Sequence, residues 1–224
     1  MHVTLAFCST STWILRSTSP YAHLRRIATI RRMLTNQAAE QLIHAFITSR
    51  LDFCNSLLCG LSQNTLHRLQ LVQNAAARLL TGHKKSAHIT PILHRLHWLP
   101  IQFRIQYKII LLTFKAHHCS APIYLQTLLQ FRNVRPGLRS SDKLLSVPRS
   151  RLVSYGDRAF SNIAPRLWNR LPVDLRETEN ITLFTQRLKT YLFMLAFPVN
   201  WCSFFLFSNI QTGAFEWLQI KCAL

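Results

Sequence analysis

Apolar residues recur every three or four positions along most of this 224-residue chain, a spacing that predicts α-helices. In the first predicted helix, Leu24, Ile27, Ile30 and Met33 form an apolar stripe beside four arginines. We therefore predict a mostly α-helical fold, an irregular multi-helix bundle. The predicted helices cover about residues 21–34, 36–58, 64–81, 90–97, 100–118, 122–129, 158–171 and 182–197.

Residues with strong capping preferences mark the ends of several predicted helices. Thr35 or Asn36 is predicted to cap the second helix, and Asn180 or Thr182 the last one. Short polar side chains favour these positions because they accept hydrogen bonds from the unpaired N–H groups of the first turn. Gly82 is predicted to end the third helix, since glycine adopts the left-handed conformation found at helix ends.

The helical periodicity lapses between Phe131 and Arg158, where prolines, glycines and serines accumulate among seven Lys and Arg residues. This composition predicts a basic extended loop or a small hairpin, with brief strands at 143–147 and 151–155. A helix resumes after the loop, and Pro165 is predicted to interrupt it.

The two ends of the chain differ in pattern from the middle. They lack its regular helical spacing. The predicted organisation is a flank at 1–19, a helical bundle at 20–130, the basic loop at 131–158, further helices of the same region at 159–197, and an apolar flank at 198–224.

The charge balance is strongly positive, with 27 Lys and Arg against 8 Asp and Glu, a formal net charge of +19. Such a field attracts polyanions, so the expected partner is nucleic acid or an anionic membrane surface. A degenerate reading frame without selected function could carry the same charge. The 49% hydrophobic content is enough to bury a core.

The acidic residues are too few and too scattered for phosphoryl transfer through two metal ions, which needs clustered carboxylates. The only near pair, Glu177 and Glu179, lies in a polar turn ahead of the last predicted helix, where a capping role that favours the helix dipole is preferred to a metal site. Six cysteines form no CxxC pair, which favours a reducing compartment. His94 with His97, and the run His117–Cys119, have no further ligands nearby in the sequence, so we predict neither a metal nor a cofactor.

Five segments resemble, in order and spacing, the region that follows the polymerase domain in LINE-type (non-LTR retrotransposon) reverse transcriptases. The resemblance covers about residues 20–197. The segments are Ser49–Leu61, Leu69–Leu79, His88–Pro100, Arg139–Asp142 and Ala164–Pro172.

This resemblance implies a helical thumb and its extension, which grip the template and the nascent duplex. Polymerase activity in the family rests on an aromatic-Ala-Asp-Asp motif and a further aspartate that hold two magnesium ions. Nicking rests on a separate endonuclease domain. No Asp-Asp pair occurs in this chain. We therefore expect a truncated, catalytically inactive fragment that is not an enzyme and has no catalytic residues.

Two arginine clusters are the candidate nucleic-acid-binding residues. Arginine presents a planar fork that fits phosphate oxygens in pairs. We expect sequence-tolerant contact with the phosphate backbone of RNA or DNA, and no small-molecule substrate. One cluster lies in the first predicted helix and the other in the basic loop: Arg25, Arg26, Arg31 and Arg32, then Arg132, Arg135, Arg139, Arg149 and Arg151.

Two other hypotheses remain open. The uncharged stretch at 190–215 reaches the length of a membrane span, although Pro198 and polar residues interrupt it. It would suit a tail-anchored protein that contacts the membrane there. A helical region without its polymerase partner would equally suit a transposon remnant with no cellular function. For a nucleic-acid-binding fragment we expect an intracellular location, in the nucleus or the cytoplasm.

Overall fold

The computed structural model describes residues 20–132, 144–150 and 156–198. Within them the fold is mostly α-helical, as predicted. The chain divides into two compact units. Among the described residues, the first unit comprises 20–104 and 193–198, and the second comprises 105–132, 144–150 and 156–192.

The helices are numbered here in chain order. They are α1 (Pro20–Ile30), α2 (Asn36–Ile43), α3 (Ser49–Asp52), α4 (Gln63–Thr81), α5 (Ile89–Arg95), α6 (Ile101–His117), α7 (Ile123–Gln126), α8 (Phe160–Asn169), α9 (Val173–Arg176) and α10 (Ile181–Ala196). Short 3-10 turns cover Arg31–Met33 and Asn55–Leu58, and a π-helical turn covers His44–Thr48.

In the first unit, α1 and α4 pack together through the apolar stripes that their spacing predicts. Leu24 and Ile27 are buried on α1, and Leu69, Val72 and Ala76 are buried on α4. Burying a large aliphatic side chain contributes roughly 1.5–3 kcal/mol, so these stripes account for the docking of the two helices.

The helix predicted over 36–58 is confirmed as far as Asp52 but not beyond, and it contains a π-helical turn between α2 and α3 that was not predicted. Ile43, Ile47 and Leu51, spaced four residues apart, are all buried. In a regular α-helix such a spacing drifts by roughly 40° per step. The wider π-helical turn accommodates an extra residue and so keeps the three side chains on the buried side.

The predicted caps are confirmed at three helix ends. The Thr35 hydroxyl accepts a hydrogen bond from the Ala38 N–H at 3.2 Å, and the Asn180 side chain accepts one from the Thr182 N–H at 2.8 Å. Gly82 follows α4 with φ +70°, the left-handed conformation that glycine adopts without strain.

The second unit is built around stacked aromatic rings. The Phe114 and Phe184 ring centroids lie 4.1 Å apart, and the Trp168 ring lies 6.0 Å from that of Phe184. The predicted interruption at Pro165 is wrong, since α8 continues through it. Pro165 is fully buried, so packing offsets the hydrogen bond that proline cannot donate.

The first predicted strand of the hairpin, 143–147, pairs with the segment at Phe131, a pairing that the sequence did not predict. Leu145 forms an isolated antiparallel bridge with Phe131. The Arg132 N–H donates to the Leu144 carbonyl at 2.9 Å, and the Ser146 N–H to the Gln130 carbonyl at 2.7 Å. The predicted strand at 151–155, like most of the two flanks, lies outside the described residues.

Candidate nucleic-acid interface

Three of the four arginines in the first cluster are exposed and available to a ligand. On α1, Leu24 and Ile27 face the core, and helical geometry therefore directs Arg25 and Arg26 to the solvent side. Arg32 is exposed in the 3-10 turn that follows. None of the three has a side-chain hydrogen bond or ion pair with the residues that the structure describes.

Arg31, the fourth arginine of this cluster, has a structural role that the sequence did not reveal. Its guanidinium donates to the carbonyl oxygens of Leu79 at 3.3 Å and Leu80 at 3.1 Å, at the end of α4. It also donates to the Leu34 carbonyl and the Asn36 side chain. The last carbonyls of a helix have no partners within the helix and carry partial negative charge, so a cation is favourable there.

The contact made by Arg31 brings its turn to the end of α4, and two lysines that the sequence reasoning missed follow that helix end in the chain. Gly82 ends this helix, and the following turn exposes Lys84 and Lys85. Arg78 steadies the turn by donating to the Ala87 carbonyl at 3.1 Å. The signal in the sequence was a pair of adjacent lysines directly after a predicted helix stop.

We call the exposed side chains of Arg25, Arg26, Arg32, Lys84 and Lys85 the α1–α4 basic surface. Between residues 20 and 104 the chain has 11 Lys and Arg but only two acids, Glu40 and Asp52. Asp52 is paired with Arg104 at 2.8 Å, and Glu40 lies 3.8 Å from His44. The excess of cations over acids therefore leaves this part of the chain strongly positive.

The second predicted cluster is only partly within the described residues. Arg132 and Arg149 are exposed and belong to the second unit. The segment Leu144–Ser150 is held by Asn169, whose side chain exchanges two hydrogen bonds of 2.9 Å with the backbone of Leu145. Arg135, Arg139 and Arg151 lie outside the described part of the chain.

The histidines that the sequence analysis considered as metal ligands make ring contacts. His94 and His97 lie against Phe193, with ring centroids 5.2 and 5.6 Å apart. His117 and His118 stack on each other at 4.8 Å. Among the described residues, no three His, Cys, Asp or Glu side chains are grouped closely enough to hold a metal ion.

The apolar stretch at 190–215 falls within the described residues only as far as Pro198. Over the described part of the chain, no helix has both the length and the apolar character needed to cross a membrane.

Comparison with known proteins identified no relative of this chain. No protein-family model, curated protein or solved structure matches this chain.

Proposed function

We propose that this chain is a catalytically inactive fragment of a LINE-type reverse transcriptase that binds the phosphate backbone of RNA or DNA. The five ordered sequence segments support the family origin. One observation carries the binding: the α1–α4 basic surface exposes five cations, in a region where Lys and Arg far outnumber acids.

Backbone contact fits this surface better than base reading. The guanidinium forks of Arg25, Arg26 and Arg32 suit paired phosphate oxygens, and the lysines act as point charges. Base reading requires side chains aimed into a groove from a docked element. Cations on a helix, a 3-10 turn and a loop instead suit contacts spread along a strand, which position a nucleic acid without specifying its sequence.

We propose that the chain binds nucleic acid and catalyses no reaction on it. The eight acids of the chain include no adjacent pair. Two-metal phosphoryl transfer needs carboxylates clustered around cations about 4 Å apart. Without such a cluster in the sequence, the most that this region would contribute to a polymerase is grip on template and duplex.

Fluorescence anisotropy of the full chain with a labelled RNA hairpin and a DNA duplex, over a series of salt concentrations, tests the proposal. Contact with five phosphates predicts a slope of log K against log salt of about −4.5 on duplex DNA. Binding that is absent at low salt, or that does not weaken with salt, would contradict the proposal.

A matched pair of variants tests the location of the site. Arg25→Gln with Arg26→Gln removes two exposed charges from the surface, and Lys108→Gln with Arg170→Gln removes two exposed charges from the second unit. We expect the first pair to reduce the slope by about 1.8 and the control pair to leave it nearly unchanged. Equal losses in both would indicate attraction by net charge without a defined surface.

A further inference from the structure

Arg176, the last residue of α9, is buried although it carries a charge. Only 8% of its surface is exposed. Its Nε and Nη1 atoms are shielded from solvent and have no hydrogen-bond partner among the described residues. Its backbone N–H is satisfied by the Pro172 carbonyl at 3.2 Å, so the unmet donors belong to the guanidinium alone.

An unpaired buried guanidinium is costly, and Arg104 and Arg31 avoid that cost. Arg104 pairs with Asp52, and Arg31 donates to four acceptors. Arginine stays protonated in proteins, so Arg176 cannot relieve the cost by losing its charge. Buried donors that lack a partner in a native protein commonly mark the place of an ion or a water molecule.

The turn that follows Arg176 is contacted by a second arginine. Two residues further along, the hydroxyl of the buried Thr178 donates to the Asp174 carbonyl at 3.0 Å and accepts from Nη1 of the exposed Arg187 at 3.4 Å. The neighbouring Glu177 and Glu179 are exposed, and neither forms an ion pair within the described residues. Arg187 therefore contacts the turn that follows Arg176, and among the described residues no ion pair joins either arginine to Asp174, Glu177 or Glu179.

We propose that Arg176, together with Arg187 and Thr178, forms a binding site for a phosphate oxyanion. The phosphate is either free or esterified in a nucleic-acid strand. Arg176 supplies the fork of N–H donors, the exposed Arg187 supplies charge at the entrance, and Thr178 holds Arg187 in place. In this proposal the ligand displaces neighbouring side chains to reach Nε and Nη1, which are shielded from solvent. This site is separate from the α1–α4 basic surface and does not depend on it.

Thermal unfolding of the full chain in sodium phosphate and in sodium chloride of equal ionic strength provides the first test. At phosphate concentrations about a hundredfold above Kd, the melting temperature rises by roughly 5–10 °C over the chloride value. Arg176→Met keeps the side-chain length but removes the charge, and this phosphate-dependent rise is lost. Arg170→Met, an exposed arginine six residues earlier, keeps it. The proposal is overturned if the wild-type chain melts at the same temperature in both salts, or if Arg176→Met retains the rise.

The melting temperatures in chloride provide a second readout. Replacing a buried unpaired charge by an apolar side chain of similar size is neutral or stabilising. Arg176→Met therefore melts at or above the wild-type temperature in chloride. A large drop would show that Arg176 already has a partner within the chain, which also overturns the proposal. Calorimetric titration of the wild-type chain with inorganic phosphate gives an answer that does not depend on how the variant folds.

Two further comparisons distinguish the sources of phosphate and separate this site from the proposed function. A free-phosphate site gives the Arg176-dependent rise with phosphate and leaves binding of a labelled oligonucleotide unchanged in Arg176→Met. A strand-phosphate site also lowers the oligonucleotide affinity severalfold in that variant. If the Arg25→Gln, Arg26→Gln variant shows the phosphate-dependent rise while no form of the chain binds nucleic acid, the proposed function fails and this site stands.

Discussion

Nη2 of Arg31 donates a hydrogen bond of 3.1 Å to the carbonyl oxygen of Leu80, which lies 49 residues further along the chain. This contact ties the end of α1 to the end of α4. The two adjacent arginines therefore have different roles. Arg31 stabilises the fold, and Arg32 remains exposed.

Arg31→Met should destabilise the chain more than Arg32→Met does. Hydrogen bonds to a charged group contribute about 1.5–3 kcal/mol, and the variant also leaves helix-end carbonyls unpaired. An exposed substitution usually stays within about 0.5 kcal/mol. Urea unfolding measures the free energy of unfolding of both variants. Equal effects of the two variants would show that the Arg31 contacts do not contribute to stability in solution.

Lys84→Gln with Lys85→Gln should weaken nucleic-acid binding without affecting the fold, because both side chains are exposed beyond the end of α4. Removal of two phosphate contacts reduces the salt slope on duplex DNA by about 1.8, to near −2.7. The Lys108→Gln, Arg170→Gln variant is the control. An unchanged slope would exclude the two lysines from the interface.

Cys119→Gly should stabilise the chain. Cys119 ends α6 with φ +53°, and the Ser120 N–H bonds to the Lys115 carbonyl at 2.8 Å, the pattern of a helix end that normally uses glycine. The left-handed conformation costs a non-glycine residue roughly 1–2 kcal/mol, of which the greater chain entropy of unfolded glycine cancels part. We expect a gain of about 0.5–1 kcal/mol in urea unfolding. Ser120→Gly, at the adjacent exposed position, should bring no gain.

Phe184→Ala should be among the most damaging changes in the second unit. Phe184 is fully buried and contacts the rings of Phe114 and Trp168. Removing a buried phenyl ring costs about 3–5 kcal/mol through lost burial and the cavity that remains. Leu183→Ala, at the adjacent exposed position, should cost much less. Similar melting temperatures for the two variants would contradict this packing.

Cys59 should react with iodoacetamide more slowly than Cys54 and Cys119 near neutral pH. Burial raises the pKa of the Cys59 thiol above its ordinary value, outweighing the backbone hydrogen bond at Gly60 that lowers it. The other two thiols are exposed. Since the thiolate is the reactive form, the alkylation rate of Cys59 should rise at a higher pH than theirs. Because its folded-state pKa is raised, the Cys59 thiol contributes fully to stability below the pKa of the unfolded thiol. This contribution is lost as the pH rises through the pKa of the folded thiol.

Residue-resolved mass spectrometry, with a urea-unfolded sample as reference, measures these alkylation rates. The difference between the cysteines should disappear in urea. Equal rates in the native chain would contradict the burial of Cys59.

Helix caps were predictable because a cap and its partner lie close in the sequence. Thr35 bonds to a group three residues away, and Asn180 to one two residues away. The π-helical turn after Ile43 was not predictable in the same way, because the same apolar spacing suits a continuous helix until the neighbouring elements are in place. Pro165 was misread for a similar reason, since its burial depends on packing around it.

By itself, the sequence determined the helical character of the chain, several helix ends and the excess of positive charge, all of which follow from residue type and short-range spacing. Only the tertiary structure decided which cations are exposed. Arg31 finds its acceptors at Leu79 and Leu80, and Asp52 finds Arg104, across 48 to 52 residues. The same folding joined the turn at Arg31 to the end of α4, and it buried Arg176 without an ion pair to any described residue. These outcomes depend on contacts between distant segments, and local periodicity carries no information about them.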